Sequence, residues 1–398
     1  MNPHVFLVAG EESGDRLGAA LIAAIRRRSH GARFSGIGGG HMVGEGVPSL
    51  FPLGDLAIMG FAAIPASLPK ILRRIREAAD AVVAARPDVL VIIDSPEFTH
   101  RVARRVRKIA PEIPIVDYVC PSVWAWRPGR ARAMRSYVDH VLALLPFEPA
   151  AMQRLGGPPC TFVGHPLSER VGLMRPNPQE ALRRLSDPPL LLVLPGSRSG
   201  EIRRMATVFG EAVALVAKRI GAIEVVVPAV PRLADTVKGA IASWLVPARI
   251  VVDPADKDAA FRTARAALTK SGTSTFELAL AGVPMVAGYR ISLLEEVIGR
   301  LLIKTPSVIL TNLILGENVV PEFLARDCTP DRLADAILPL MGDTPERRRQ
   351  IEAFARLDDL MQIGKAKPSD GAASVVLACA AAFNQPSRET VAPPPPTA

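Results

Sequence analysis

Short β-prone apolar runs alternate with longer stretches whose apolar residues recur at helical spacing, and the alternation continues along nearly the whole chain. In the first half the runs are Val5–Gly10, Phe34–Gly38, Val89–Asp94, Ile113–Val119, Val141–Leu145 and Thr161–Gly164. Prolines and polar residues then cluster in "RPNPQEALRRLSDPP", Arg175 to Pro189, which predicts a break. After it the pattern restarts with Leu190–Pro195, Ile223–Val227, Ile250–Val252, Ala267–Thr269 and Val283–Ala287. Strands alternating with helices predict an α/β fold with parallel sheets. Two similar α/β domains facing each other across a cleft are the simplest account. The boundaries fall at 1–174 and 187–345, followed by helices over 346–384 that pack back on the first domain or on a partner. The tail 385–398, rich in proline, lacks apolar residues to bury and is expected to be disordered.

The polar clusters between runs carry the chemistry. "VAGEESGDRLGAALI" (Val8 to Ile22) is a strand-to-helix turn, with the helix reading from Leu17 to Ile25. An open α/β sheet puts its ligand crevice at such a turn. Gly10 and Gly14 permit close backbone approach, and Ser13 or Asp15 is placed to cap the helix. Neither reason accounts for Glu11 and Glu12 together, so these acids are candidates for binding or proton transfer. The second half opens on "LPGSRSGEIRRM". Gly196 and Ser197 close the strand, and Arg198 precedes a helix starting near Ser199 or Gly200. Free N–H groups at a helix start attract an anion, and a guanidinium beside them can grip a phosphate bidentately; the plainer alternative is an Arg198–Glu201 surface pair. In "TKSGTSTFELALAGVPMV", Ser271, Gly272 and Thr273 form a second anion-prone turn, and Glu277 is placed to accept hydrogen bonds from sugar hydroxyls. Two such turns on one sheet point to a diphosphate. Neither leading turn reads GxGxxG and no Walker A string is present, so a nucleotide-sugar fits better than NAD or a P-loop nucleotide. "VIIDSPEFTHRVARR" places Asp94 where a buried strand runs out, with Pro96 opening a basic helix. A carboxylate partly withdrawn from water there makes a better base; the plainer alternative is an Asp that only caps the strand end.

Composition narrows the partners. With 398 residues, 49% of them hydrophobic, the chain can bury a large core without covalent staples. Four cysteines without CxxC spacing suit a reducing compartment, and no basic, apolar leader precedes the first run, so a secretory signal is not expected. The net charge of +9 favours anionic partners: phosphorylated metabolites, nucleic acid or a membrane face. Aromatics make up only 5% and do not alternate with basic residues, which argues against nucleic acid. Arg347 to Arg349 read as a solvated helix face.

The strings "AGEESGDRLGA", "DSPEF", "YVCPSVWAWRPGR", "LLPFE", "FVGHPL", "LPGSR", "KSGTSTFELAL" and "VPE" occur in this order between about Val5 and Glu322. In these strings the chain resembles the lipid-A-disaccharide synthases, glycosyltransferases of Gram-negative bacteria. The resemblance implies the GT-B architecture of two Rossmann-like domains, the first binding acceptor and the second binding the UDP-sugar. The implied reaction moves 2,3-diacylglucosamine from its UDP conjugate to 2,3-diacylglucosamine 1-phosphate. It gives a β-1,6-linked disaccharide 1-phosphate and UDP, with inversion and without metal or cofactor. By matching position, Glu11, Ser13 and Asp15 belong to the first-domain turn, with Asp94 the leading general base and Glu11 next. Ser197, Arg198, Ser271, Gly272, Thr273 and Glu277 belong to the donor side, and Asn312 and Glu322 to a late active-site loop, "LTNLILGENVVPE". Cys120, Thr311 and Glu97 stand where the family more often has Ser, Pro and Asp, which touches fine geometry only. The family includes homodimers and swapped C-terminal elements. Other GT-B enzymes, such as a UDP-GlcNAc epimerase or the peptidoglycan transferase, would share the donor turns, while a non-catalytic nucleotide-sugar binder would tolerate loss of Asp94. Trp124, Trp126 and Arg127 are placed to line an acceptor groove.

Acylated substrates call for a surface that reaches a bilayer, at the cytoplasmic side of the inner membrane. The segment "LAIMGFAAIPASLPKILRRIREA", Leu56 to Ala78, has that composition. Leu56, Ile58, Met59, Phe61 and Ile64 are apolar, Leu68, Ile71, Leu72 and Ile75 recur at helical spacing, and Lys70, Arg73, Arg74 and Arg76 lie among them. No apolar run is long enough for a spanning helix.

Overall fold

In the computed structural model, which describes residues 2–56, 64–290 and 305–383, the apolar runs become two parallel sheets of six strands. The first comprises β1 (His4–Ala9), β2 (Arg33–Ile37), β3 (Val89–Ile93), β4 (Ile115–Tyr118), β5 (His140–Ala143) and β6 (Cys160–Phe162), in the order β2-β1-β3-β4-β5-β6. The second comprises β7 (Leu190–Leu194), β8 (Glu224–Pro228), β9 (Ala248–Val251), β10 (Ala266–Lys270), β11 (Met285–Tyr289) and β12 (Glu322–Leu324), in the order β12-β11-β10-β7-β8-β9. In each, the chain builds outward from its first strand in one direction and then reverses, so β1/β3 and β7/β10 are the switch points where such sheets bind ligands. The central strands are apolar on both faces because helices cover both; every residue of β3 and β7 is buried. At roughly 1.5–3 kcal/mol for each buried aliphatic side chain, these strands are what fixes the frame.

Register decides which turns meet. Ala9 pairs with Ile93, which sets the end of β1 beside Asp94, and Leu194 pairs with Thr269, which sets the Gly196 turn beside Lys270. Gly10 is required by the first of these meetings: a Cβ there would lie 2.3 Å from Cβ of Ser95.

The chain divides into two units, one of residues 1–166 with 366–398 and one of residues 167–365. The first boundary comes earlier than the proline-rich break because Arg170 pairs with Asp258, and Arg175 reaches the Leu280 carbonyl and Asp358. The helix Pro368–Phe383 returns to the first unit. Ala372, Ala373, Val376 and Ala380 join the apolar cluster of β1 and the helix Glu12–Arg28, and Arg27 and Arg28 reach Asp370 and Ser374.

Several local expectations are corrected. The helix after β1 begins at Glu12, not near Leu17, with Glu11 as N-cap and no side-chain cap bond, so neither Ser13 nor Asp15 caps it. β12, only three residues long, has no apolar run to announce it. Arg347 is not on a solvated face: it is 5% exposed and donates to the carbonyls of Arg265 and Leu340, while burial lowers its pKa to about 10. In the helix Ile64–Ala85 the apolar stripe splits. Ile71 and Ile75 pack on the core, whereas Leu68 and Leu72 stay 44% and 41% exposed. Ile58, Met59 and Phe61, the side chain of Ile64 and the tail 385–398 lie outside the described residues. No described helix is long and apolar enough to cross a membrane.

Candidate active site

In the second unit a cavity of ≈ 480 Å³ opens at the ends of β7 and β10. Gly196 makes the turn possible at φ +136°, where a Cβ would also lie 2.7 Å from that of Glu201. Arg198 then caps the helix Ser199–Ile220 with its side chain 81% exposed. Glu201, its carboxylate only 5% exposed, organises the turn: it accepts the Ser197 N–H at 3.1 Å, Lys270 Nζ at 3.2 Å and Arg198 at 3.4 Å. Burial disfavours its charge, but Lys270, the Ser197 N–H and Arg198 outweigh burial and hold its pKa below the ordinary carboxylate value. Across the cavity Lys257 Nζ, on the helix Pro254–Thr263, lies 3.2 Å from Glu277 of the helix Thr273–Leu280. Three cations, Arg198, Lys257 and Lys270, thus share one cavity with two carboxylates and the helix start at Gly272 and Thr273. That arrangement suits a diphosphate with a hydroxylated sugar attached.

The first unit places a carboxylate at its own switch point. Asp94 follows β3 with φ +54°, Ser95 follows with φ +46°, and the helix Pro96–Ile109 starts immediately after. Ser13 Oγ donates to Asp94 Oδ2 at 2.8 Å, and the Ser95 N–H donates to Oδ1 at 2.8 Å. The main chain is anchored by the Asp94 N–H to the Tyr118 carbonyl and by Thr99 Oγ1 to the Asp94 carbonyl. Each carboxylate oxygen therefore keeps a lone pair for a proton. A second cavity, ≈ 320 Å³, is lined by Asp94.

The structure sorts the residues expected from sequence. It brings Ser197, Arg198, Gly272, Thr273 and Glu277 into the cavity of the second unit, and Ser13 onto Asp94. Glu11 is exposed at the same turn, and Glu12 pairs with Arg16. Ser271 does not line that cavity; it is 8% exposed, its N–H given to the Gly288 carbonyl. Asp15 takes another role from the one expected: it is 1% exposed and accepts N–H groups from Gly39, His41 and Met42, holding the short helix Gly40–Gly44. Asn312, 2% exposed, spends its amide on Val319, Val320 and Ser307, and Glu322 accepts the Val308 N–H. Both stitch their loop together and line neither cavity. Trp124 is a packing residue, bonded to buried Glu148 and set edge-on to Phe147, while Trp126 lines the smaller cavity. Sequence reasoning missed Lys270 and Lys257. The first was signalled by a lysine ending an apolar strand; the second had no local signal. Among the described residues no three His, Cys, Asp or Glu side chains gather as metal ligands.

A family model described as lipid-A-disaccharide synthetase matches residues 5–376. A lipid-A-disaccharide synthase of Nitrobacter hamburgensis is 61% identical over 94% of each chain. Another, of Bradyrhizobium diazoefficiens, is 58% identical over 94% of this chain and 96% of its own. Among solved structures, UDP-GlcNAc 2-epimerase of Neisseria meningitidis bound to UDP-GlcNAc is similar with TM-score 0.62 and 11% identity, over 94% of this chain and 100% of that one. Acinetobacter baumannii MurG gives 0.57 and 14%, over 94% and 99%. At such identities these two speak for the fold alone, two Rossmann-like domains of the GT-B kind. With the family model spanning most of its length and full-length relatives near 60% identity, the chain belongs to the lipid-A-disaccharide synthetase family of glycosyltransferases.

Proposed function

We propose that the chain transfers 2,3-diacylglucosamine from its UDP conjugate to the 6-hydroxyl of 2,3-diacylglucosamine 1-phosphate. The observation that carries this reading is the pairing of chemistries at the two switch points, a serine-held carboxylate in one unit and a three-cation cavity in the other. Asp94 takes the proton from the acceptor hydroxyl as its oxygen bonds to the anomeric carbon. The bond from that carbon to the diphosphate breaks on the opposite face, so the centre inverts and UDP departs with the electron pair. Arg198, Lys257 and Lys270 offset the charge that grows on the diphosphate. Glu277 orients donor hydroxyls, and Lys257 pairs with its carboxylate.

The enzyme works at the cytoplasmic face of the inner membrane. Leu68 and Leu72 stand exposed on one helix with Lys70, Arg73 and Arg76, a surface that joins apolar burial to attraction for anionic lipid. Incubating the protein with both lipid substrates and reading products by mass spectrometry tests the reaction: disaccharide phosphate and UDP are expected, and their absence refutes it. Co-sedimentation with anionic vesicles tests the surface. Binding should weaken with salt and fall further in Leu68→Ser/Leu72→Ser, and binding indifferent to both refutes it.

A further inference from the structure

The smaller cavity holds more than a base. Seven described non-glycine residues have positive φ, and three of them, Asp94, Val119 (φ +96°) and Arg127 (φ +53°), line this one cavity, with Ser95 adjoining. Such conformations are costly for any residue with a side chain, and a β-branched one such as Val119 is a genuine outlier. Strain gathered at one place, in a fold that does not need it for its sheets, marks a position where geometry is put to use.

Two guanidiniums line the cavity, Arg127 from the strained backbone and Arg130 from the helix Gly129–Met134. Arg127 lies over the Trp126 ring, 4.4 Å from its centroid, and among the described residues no carboxylate pairs with it. Arg130, its side chain 17% exposed, reaches Glu97 at 3.3 Å and the Pro96 carbonyl at 3.4 Å. Both contacts are long for charge-assisted hydrogen bonds, and a guanidinium has five donors, so Arg130 is steered without being saturated. Cys120 also lines the cavity, but its thiol donates to the Pro121 carbonyl, and the neighbouring Cys160 and burial push its pKa up, which leaves it a neutral wall. At ≈ 320 Å³ the space stands at the lower end of small-molecule sites, enough for a sugar headgroup while acyl chains remain outside.

We propose that this cavity is the acceptor headgroup site, with Arg127 and Arg130 binding the phosphate monoester of the acceptor sugar and Trp126 holding the Arg127 fork in place. The inference rests on the reaction above and adds the residues that make the enzyme demand a phosphorylated acceptor. Planar forks suit a phosphate dianion better than an ammonium does, so lysine is a poor substitute.

The test compares kcat/KM for diacylglucosamine 1-phosphate with that for the same sugar lacking phosphate, using full-length protein and a saturating donor. The wild type should prefer the phosphorylated acceptor, and Arg127→Ala and Arg130→Ala should each cut that preference roughly 10- to 100-fold. Arg127→Lys should recover only part. UDP affinity, read by calorimetry, should stay unchanged in every variant, which also shows that the second unit is folded. A preference for phosphate that survives both alanine substitutions overturns the proposal. So does loss of binding to phosphatidylglycerol vesicles with the preference intact, which would assign the arginines to bilayer phosphates. A wild type that makes no disaccharide with either acceptor fails the reaction itself, a result distinct from either.

Discussion

The two switch points have the same topology and hold their charged groups in different ways. At β1/β3 the chain puts an acid where the strands end and strains non-glycine residues, Asp94 and Ser95, to hold it. At β7/β10 it relaxes the turns with glycines, Gly196 and Gly272, and surrounds them with Arg198, Lys257 and Lys270. The same difference appears in two buried glutamates. Glu148, 3% exposed in the first unit, accepts hydrogen bonds from Trp124 and the N–H groups of Leu144 and Leu145, yet burial raises its pKa to about 7. Glu201, 4% exposed in the second, has Lys270 and Arg198 beside it, and its pKa is lowered. One fold, used twice, supplies the location, and the side chains decide what chemistry that location carries.

Four experiments probe the contrast. The largest effect belongs to Asp94→Asn, which should lower kcat by roughly 10²–10⁴-fold with UDP affinity intact. Near-normal turnover in that variant moves the base to Glu11 and removes the acidic half of the contrast. Second, the two glutamates should give pH slopes of opposite sign. Glu148 has a folded pKa above its ordinary 4.5, so its contribution is fully present below pH 4.5 and is lost as pH rises through about 7. Relative to Glu148→Gln, the wild type should lose on the order of 3 kcal/mol over that window in denaturant titrations. Glu201, lowered instead, contributes above its ordinary value and loses that contribution as pH falls through its folded pKa, so Glu201→Gln should cost more at pH 7 than at acid pH. Third, Arg198→Ala should weaken UDP binding roughly 10- to 100-fold and slow transfer as well, with lysine restoring part. Calorimetry showing undiminished UDP affinity would undo the cationic half. The smallest effect belongs to Ser13→Ala, which removes one hydrogen bond to Asp94. Here kcat should fall roughly 3- to 10-fold while the donor KM stays put; a change confined to KM would make Ser13 a substrate contact.

What the sequence disclosed follows the range of the interactions involved. Six strands of the first sheet and five of the second are legible because buried parallel strands are continuous apolar runs. The glycine, serine and arginine of the turn after β7 are legible because a turn constrains its own residues. Asp15 misleads because its partners, the N–H groups of Gly39, His41 and Met42, lie some 25 positions along the chain, and spacing carries no trace of them. Asn312 comes to notice only through the family resemblance, and the residues it ties together lie within its own loop. Arg347 reads as solvated because three arginines in a row describe a surface, and only the fold supplies the two carbonyls that let one of them turn inward.

The return of the helix Pro368–Phe383 to the first sheet sets a timetable for synthesis. Its alanines and valine cover an apolar face of which β1 and the helix Glu12–Arg28 are made first. About 200 residues of the second unit must be translated in between. At roughly 5–20 residues per second that is on the order of 10–40 s during which the nascent first unit lacks its last wall. A ribosome stalled within the second unit would hold a sheet with one greasy side open to chaperones, and a truncation at residue 360 would make that condition permanent. The second unit, continuous in the chain, has no such wait.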